Sequence, residues 1–106
     1  MAEDQKPRWT FLTNHAHVLV CISEDGDLRG RDIAARVGIT ERAVQAIIAD
    51  LESDGYLTRT REGRRNHYQV HPDLPLRHPL ESDHTAADLL AALGLKPHSE
   101  APPASR

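Results

Sequence analysis

The segment from Arg31 to Val70 constrains this chain more than any other. It runs as a short amphipathic stretch, RDIAARV, a Gly38-Ile39-Thr40 break, and a longer amphipathic stretch, ERAVQAIIADL. A second break at Gly55 then precedes an Arg-rich tract, LTRTREGRRNHYQV. Ile33, Ala34 and Val37 share one side of the first stretch, and Val44, Ile47, Ile48 and Leu51 fall at i, i+3, i+4 and i+7 in the second. Each stretch therefore reads as a helix that buries one stripe. Gly38 can end the first helix in a left-handed conformation that costs glycine little. Ile39 plugs the turn, and Thr40 caps the next helix, which runs to about Asp54. Beyond Gly55 the pattern predicts two strands, Leu57 to Arg61 and Asn66 to Val70, joined at Glu62-Gly63-Arg64-Arg65. Tyr56, Leu57, Tyr68 and Val70 are the hairpin side chains expected to reach the core.

The flanks divide simply. Residues 1–8 are polar and expected to be a disordered N-terminus. A helix is predicted from Asn14 to about Ser23, capped by Asn14 or Thr13 and apolar on most of its circumference. Glu24-Asp25-Gly26-Asp27 is turn chemistry. Leu28 and Arg29 are expected as a short edge strand before the second helix, Gly30 to Val37. These elements make residues 9–71 the main domain. Pro72, Pro75 and Pro79 predict an extended connector over 72–81. A last helix over 82–94 places Ala86, Leu89, Leu90 and Leu93 on one face, and residues 95–106 are expected to be a disordered tail. The fold class expected is α+β, mostly α.

Composition narrows the function classes. One cysteine, Cys21, in 106 residues excludes an intrachain disulfide and a Cys-based zinc site, and it suits a reducing cytoplasm. No apolar run reaches the roughly 20 residues needed to cross a bilayer, and MAEDQKPR lacks a signal-peptide apolar region. The expectation is a cytoplasmic protein with no membrane role. Seven histidines raise the question of a metal, but His15 and His17 do not share a helix face. His67 and His71 lack companions at ligand spacing, so no metal and no cofactor are expected. No phosphate-binding glycine loop, nucleophile elbow or placeable triad is present, so an enzyme is not expected. Cys21, inside an apolar helix, reads as an inert core residue.

Formal net charge is -3, yet its distribution is uneven. Arg59, Arg61, Arg64 and Arg65 crowd the hairpin against Glu62 alone, while most carboxylates lie elsewhere. Phosphates respond to the local field, so a basic patch on a weakly acidic chain is compatible with nucleic acid.

At IAARVGITERAVQAIIADLESDGYLTR the chain resembles winged helix-turn-helix bacterial transcription regulators of the broad MarR and ArsR style. The resemblance covers roughly residues 13 to 71 and rests on Ile33, Ala34, Val37, Gly38, Ile39, Thr40, Val44, Ile47, Leu51 and the Gly55-Tyr56-Leu57 junction. It implies a winged helix-turn-helix with an added C-terminal helix. It also implies double-stranded DNA as the partner, the third helix in the major groove and the hairpin along the backbone. On that reading Thr40, Glu41, Arg42, Gln45 and Ala46 face DNA from the helix, Arg42 toward guanine and Gln45 toward adenine. Thr40 would hold a phosphate, while Arg59, Arg61, Arg64, Arg65 and Asn66 contact DNA from the wing. Ala46 and Asp50 stand where many relatives carry a basic residue. The chain is also short for the MarR group and lacks the paired cysteines of metal-sensing ArsR relatives.

Surplus apolar helix surface, together with the resemblance, implies a homodimer held by Val18, Leu19, Ile22, Ala86, Leu89, Leu90 and Leu93. Two further readings stand beside the regulator. One is a protein-interaction module without DNA. The other is a ligand-responsive regulator whose small-molecule effector sits near Trp9, Phe11 and the first helix.

Overall fold

Threonine hydroxyls open three of the four helices in the computed structural model, which describes residues 7–95. Helix α1 (Asn14–Glu24) starts with Thr13 accepting from the Ala16 N–H at 3.3 Å. Helix α3 (Glu41–Ser53) starts with Thr40 accepting from Ala43 at 3.0 Å. Helix α4 (Ala86–Ala92) starts with a reciprocal box: the Thr85 hydroxyl accepts from the Asp88 N–H, and the Asp88 carboxylate accepts from the Thr85 N–H. Between α1 and α3, helix α2 (Gly30–Val37) ends at Gly38, whose φ of 89° is the left-handed stop the sequence predicts.

Strands β1 (Leu57–Glu62) and β2 (Arg65–Val70) pair antiparallel from Leu57 opposite Val70 out to Glu62 opposite Arg65. The hairpin is thus one rung longer than expected and closes on a two-residue turn, Gly63-Arg64. Gly63 has φ 66° and is the sole turn residue with positive φ, the glycine-first hairpin pattern.

The core lies where α1, α2 and α3 meet the base of the hairpin. Val18, Ile33, Val44 and Ile48 are fully enclosed, with Tyr56, Leu57, Tyr68 and Val70 closing one side. The chain therefore has the expected class, α+β and mostly α.

Three expectations change. Leu28 and Arg29 form no strand, and the sheet has two strands. Arg29 instead precedes α2, its N–H donating to Asp32 at 3.3 Å. Among the described residues the turn before α2 meets β2 through one backbone bond, Tyr68 N–H to Gly26 O at 2.9 Å.

The Pro-rich stretch is not simply extended. It doubles back, bridging Pro75 to Thr85, with Leu76 N–H donating to His84 O and Ala86 N–H to Leu74 O, both at 2.9 Å. The Tyr56 hydroxyl ties it down by donating to Pro75 O. This return consumes Ser82 to His84 as turn, so α4 begins at Ala86 rather than Ser82.

Finally, the apolar face assigned to a dimer is largely spent inside one chain. Val18, Leu19, Ile22, Ala86 and Leu90 are buried, and only Leu93 and part of Leu89 remain open. A face that looks surplus on a helical wheel is consumed when the connector folds α4 back onto the helices. The expectations for residues 1–6 and 96–106 fall outside the described residues.

Candidate nucleic-acid interface

The register of α3 settles which side chains it can present. Burying Val44, Ile47, Ile48 and Leu51 leaves Glu41, Arg42, Gln45, Ala46, Ala49 and Asp50 exposed. Thr40 is exposed as well, although its hydroxyl oxygen already accepts from Ala43 N–H as the helix cap. Among the described residues Arg42 has no ion-pair partner and Glu41 none either. The two helices of the motif pack closely at this end. A Cβ on Gly30, the first residue of α2, would lie 2.5 Å from the Gln45 amide nitrogen. The Gln45 side chain thus lies beside the start of α2, over the space that glycine leaves open at position 30.

The hairpin distributes its cations less evenly than its composition implies. Side chains alternate along a strand, so the register sets Arg59 and Arg61 on the face that carries Leu57, Tyr68 and Val70 nearer the core. Arg65 shares the opposite face with Thr58, Thr60 and His67. Their engagements also differ. Arg59 pairs with Glu52 on α3 at 3.4 Å. The Arg61 Nε donates to Gly63 O at 3.4 Å, and the Arg65 guanidinium donates to Asp27 O at 2.7 Å. Arg64 occupies the turn, exposed and without an ion pair among the described residues. Asn66 is half-buried opposite Arg61. The four arginines are on one hairpin, but they do not form one surface.

A junction that sequence reasoning missed fixes the hairpin to the helices. Gly26 O receives Tyr68 N–H, Asp27 O receives Arg65, and the Asp27 carboxylate lies 2.7 Å from His67 Nδ1. The hydrogen bond that the Asp27 carboxylate accepts raises the His67 pKa. Partial burial opposes the rise, and the charges of Asp27, Glu62 and Asp25 add to it. A Cβ on Gly26 would stand 2.3 Å from the Tyr68 carbonyl oxygen. The sequence signal, a glycine within an acidic turn, was visible, but it read as turn chemistry rather than close approach.

Asp50, exposed near the C-terminal end of α3, has a partner on α1. Its carboxylate lies 2.8 Å from His15 Nε2 on α1. Beside this pair is a groove of about 510 Å³, reached by Phe11 but not by Trp9, which stacks edge-on against Phe11 at 5.0 Å. Among the described residues no group of three or more His, Cys, Asp or Glu is placed to hold a metal. No described helix is long and apolar enough to cross a membrane. Cys21 is buried. Desolvation pushes its thiol pKa up, against a smaller opposing effect of Arg36, and Glu24 also raises it.

Two comparisons bear on this geometry. Residues 13–58 match the family described as winged helix-turn-helix DNA-binding. The match spans α1 to α3 and ends two residues into β1, so the hairpin's contribution rests on its own geometry. Among the described residues, four helices and a two-stranded antiparallel sheet make a small α+β fold consistent with a winged helix. No curated protein matches the chain.

Proposed function

We propose, from the winged helix-turn-helix premise, that this chain is a DNA-binding transcriptional regulator of the MarR/ArsR-like style. Helix α3 enters the major groove and the Gly63-Arg64 tip rests on the phosphate backbone. The observation that carries it is the contrast among the arginines. Arg42 on the outward face of α3 and Arg64 at the hairpin tip are exposed and without ion pairs among the described residues, whereas Arg59 and Arg65 are engaged within the fold. A roughly 12 Å major groove accepts a helix, and its base edges offer Arg and Gln their bidentate partners. Gln45, exposed one turn further along α3, lies beside Gly30 at the start of α2. Ala46 adds no hydrogen bond, so backbone contact outweighs base reading.

Two copies of such a module read half-sites about 34 Å apart, and a homodimer is part of the proposal. Its interface must centre on exposed side chains such as Leu93, because the α1 face lies inside the chain. Selection of bound duplexes from a random pool, followed by titration across a salt series, tests the reading. Arg64→Ala is expected to reduce the salt slope by roughly 0.9 without changing the consensus. Arg42→Ala with Gln45→Ala is expected to lose about 1–3 kcal/mol of base discrimination. If both variants bind every duplex like the parent, the module serves protein contacts instead.

A further inference from the structure

A second site lies beyond the reading surface. The N-terminal arm, α1, the C-terminal half of α3, the doubled-back connector and α4 line the half-open groove of about 510 Å³. That volume is within the range of small-molecule sites, roughly 300–1,000 Å³. Its apolar wall includes Leu12, Leu19, Leu76 and Leu89, side chains from four different segments. Its polar lining is unbalanced. Three carboxylates, Asp50, Asp54 and Glu81, face one guanidinium, Arg77, and two imidazoles, His15 and His78. Asp50 meets His15 and Asp54 meets Arg77, but Glu81 has no ion pair among the described residues. At the mouth stands Phe11, 90 % exposed, backed edge-on by Trp9. An aromatic face, an apolar wall and surplus carboxylate are together what a delocalised cation requires.

We propose that this groove binds hydrophobic organic cations, meaning molecules with an apolar or aromatic body and one quaternary or delocalised positive charge. Anionic and zwitterionic aromatics of the same size are disfavoured by the same carboxylates. The binding does not depend on DNA contact, because Arg42 and Arg64 are absent from the groove lining. It is therefore tested separately from the regulator reading.

Trp9 is the one tryptophan of the chain, so its emission reports on the groove mouth. The experiment titrates the full chain, at mildly alkaline pH, with tetraphenylphosphonium and with tetraphenylborate, which are alike in shape and opposite in charge. Saturable change in Trp9 emission with the cation, at least about tenfold tighter than with the anion, is expected from the two-carboxylate surplus over guanidinium in the lining after salt screening. Glu81→Gln and Asp54→Asn are each expected to weaken the cation by about threefold while leaving the circular dichroism spectrum unchanged. Equal affinity for both ions overturns the proposal, as does absence of binding. So does a Trp9 shift that tracks protein concentration without any probe, since that result assigns the groove to a second copy of the chain.

Discussion

Gly26→Ala is the most informative single substitution in this fold. The added Cβ would stand 2.3 Å from the Tyr68 carbonyl oxygen, a backbone atom that cannot rotate away. The turn between α1 and α2 must therefore retreat from β2. Retreat breaks the Tyr68 N–H to Gly26 O bond at 2.9 Å and draws Asp27 away from Arg65 and His67. Tyr68 is buried, so its N–H loses its partner at a cost of about 1–3 kcal/mol. The half-exposed Asp27–His67 pair adds about 0–1 kcal/mol. A net loss of about 2 kcal/mol corresponds to a fall in Tm of about 8–16 °C for a domain of this size. Thermal and urea denaturation followed by far-UV circular dichroism measure it. Gly63→Ala is the comparison, because a Cβ there meets nothing within 4 Å and the cost is backbone strain at φ 66°. Strain of that kind is worth about 1–2 kcal/mol. The two variants also separate by function, since Gly26→Ala loosens the whole wing whereas Gly63→Ala disturbs only its tip. A Gly26→Ala protein that melts with the parent and binds duplex with the parent's salt slope would refute the junction as the wing's anchor.

Other consequences are open to measurement. The His67 pKa is raised in the folded state, so its contribution is fully present below the ordinary histidine range and is lost as pH rises through the raised value. Side-chain exposure of 40 % for His67 and 64 % for Asp27 limits that contribution to at most about 1 kcal/mol. Urea midpoints should fall toward alkaline pH in the parent and stay flatter in Asp27→Asn; parallel curves would remove the pair from the account. Ser23 is buried with its hydroxyl unpartnered among the described residues. Ser23→Ala should accordingly raise stability by about 1–2 kcal/mol, through relieved desolvation and better helix propensity, and an unchanged or lower midpoint would argue otherwise. Leu90 is fully buried on α4, so Leu90→Ala should cost about 2–5 kcal/mol; a cost below 1 kcal/mol would mean that α4 is not part of the core. A thiol-reactive disulfide reagent should spare Cys21 until urea unfolds the chain, because burial keeps the thiol protonated and covered.

Local patterns in the sequence determined the helix-turn-helix and the hairpin. The α3 stripe, the Gly38 stop and the Thr40 cap act through neighbours within a few residues, and one chain read in order contains all of those neighbours. The outward face of α3 followed from the same periodicity, since a buried stripe defines its opposite. Three things were decided only by tertiary structure. Gly26 serves as a contact point because β2 returns beside it more than forty residues later. Four arginines with similar local surroundings acquire different roles because Glu52 on α3 and Asp27 O before α2 reach two of them, Arg59 and Arg65, across the fold. Leu90 and Ala86, predicted at a surface for a partner, are inside because the Pro-rich segment doubles back and brings α4 onto the core. The physical reason is common to all three. Helical and strand periodicity report which side of an element is apolar, but packing decides what covers that side. The groove beside Phe11 belongs to the same class, since its wall is assembled from segments that meet only in the folded chain.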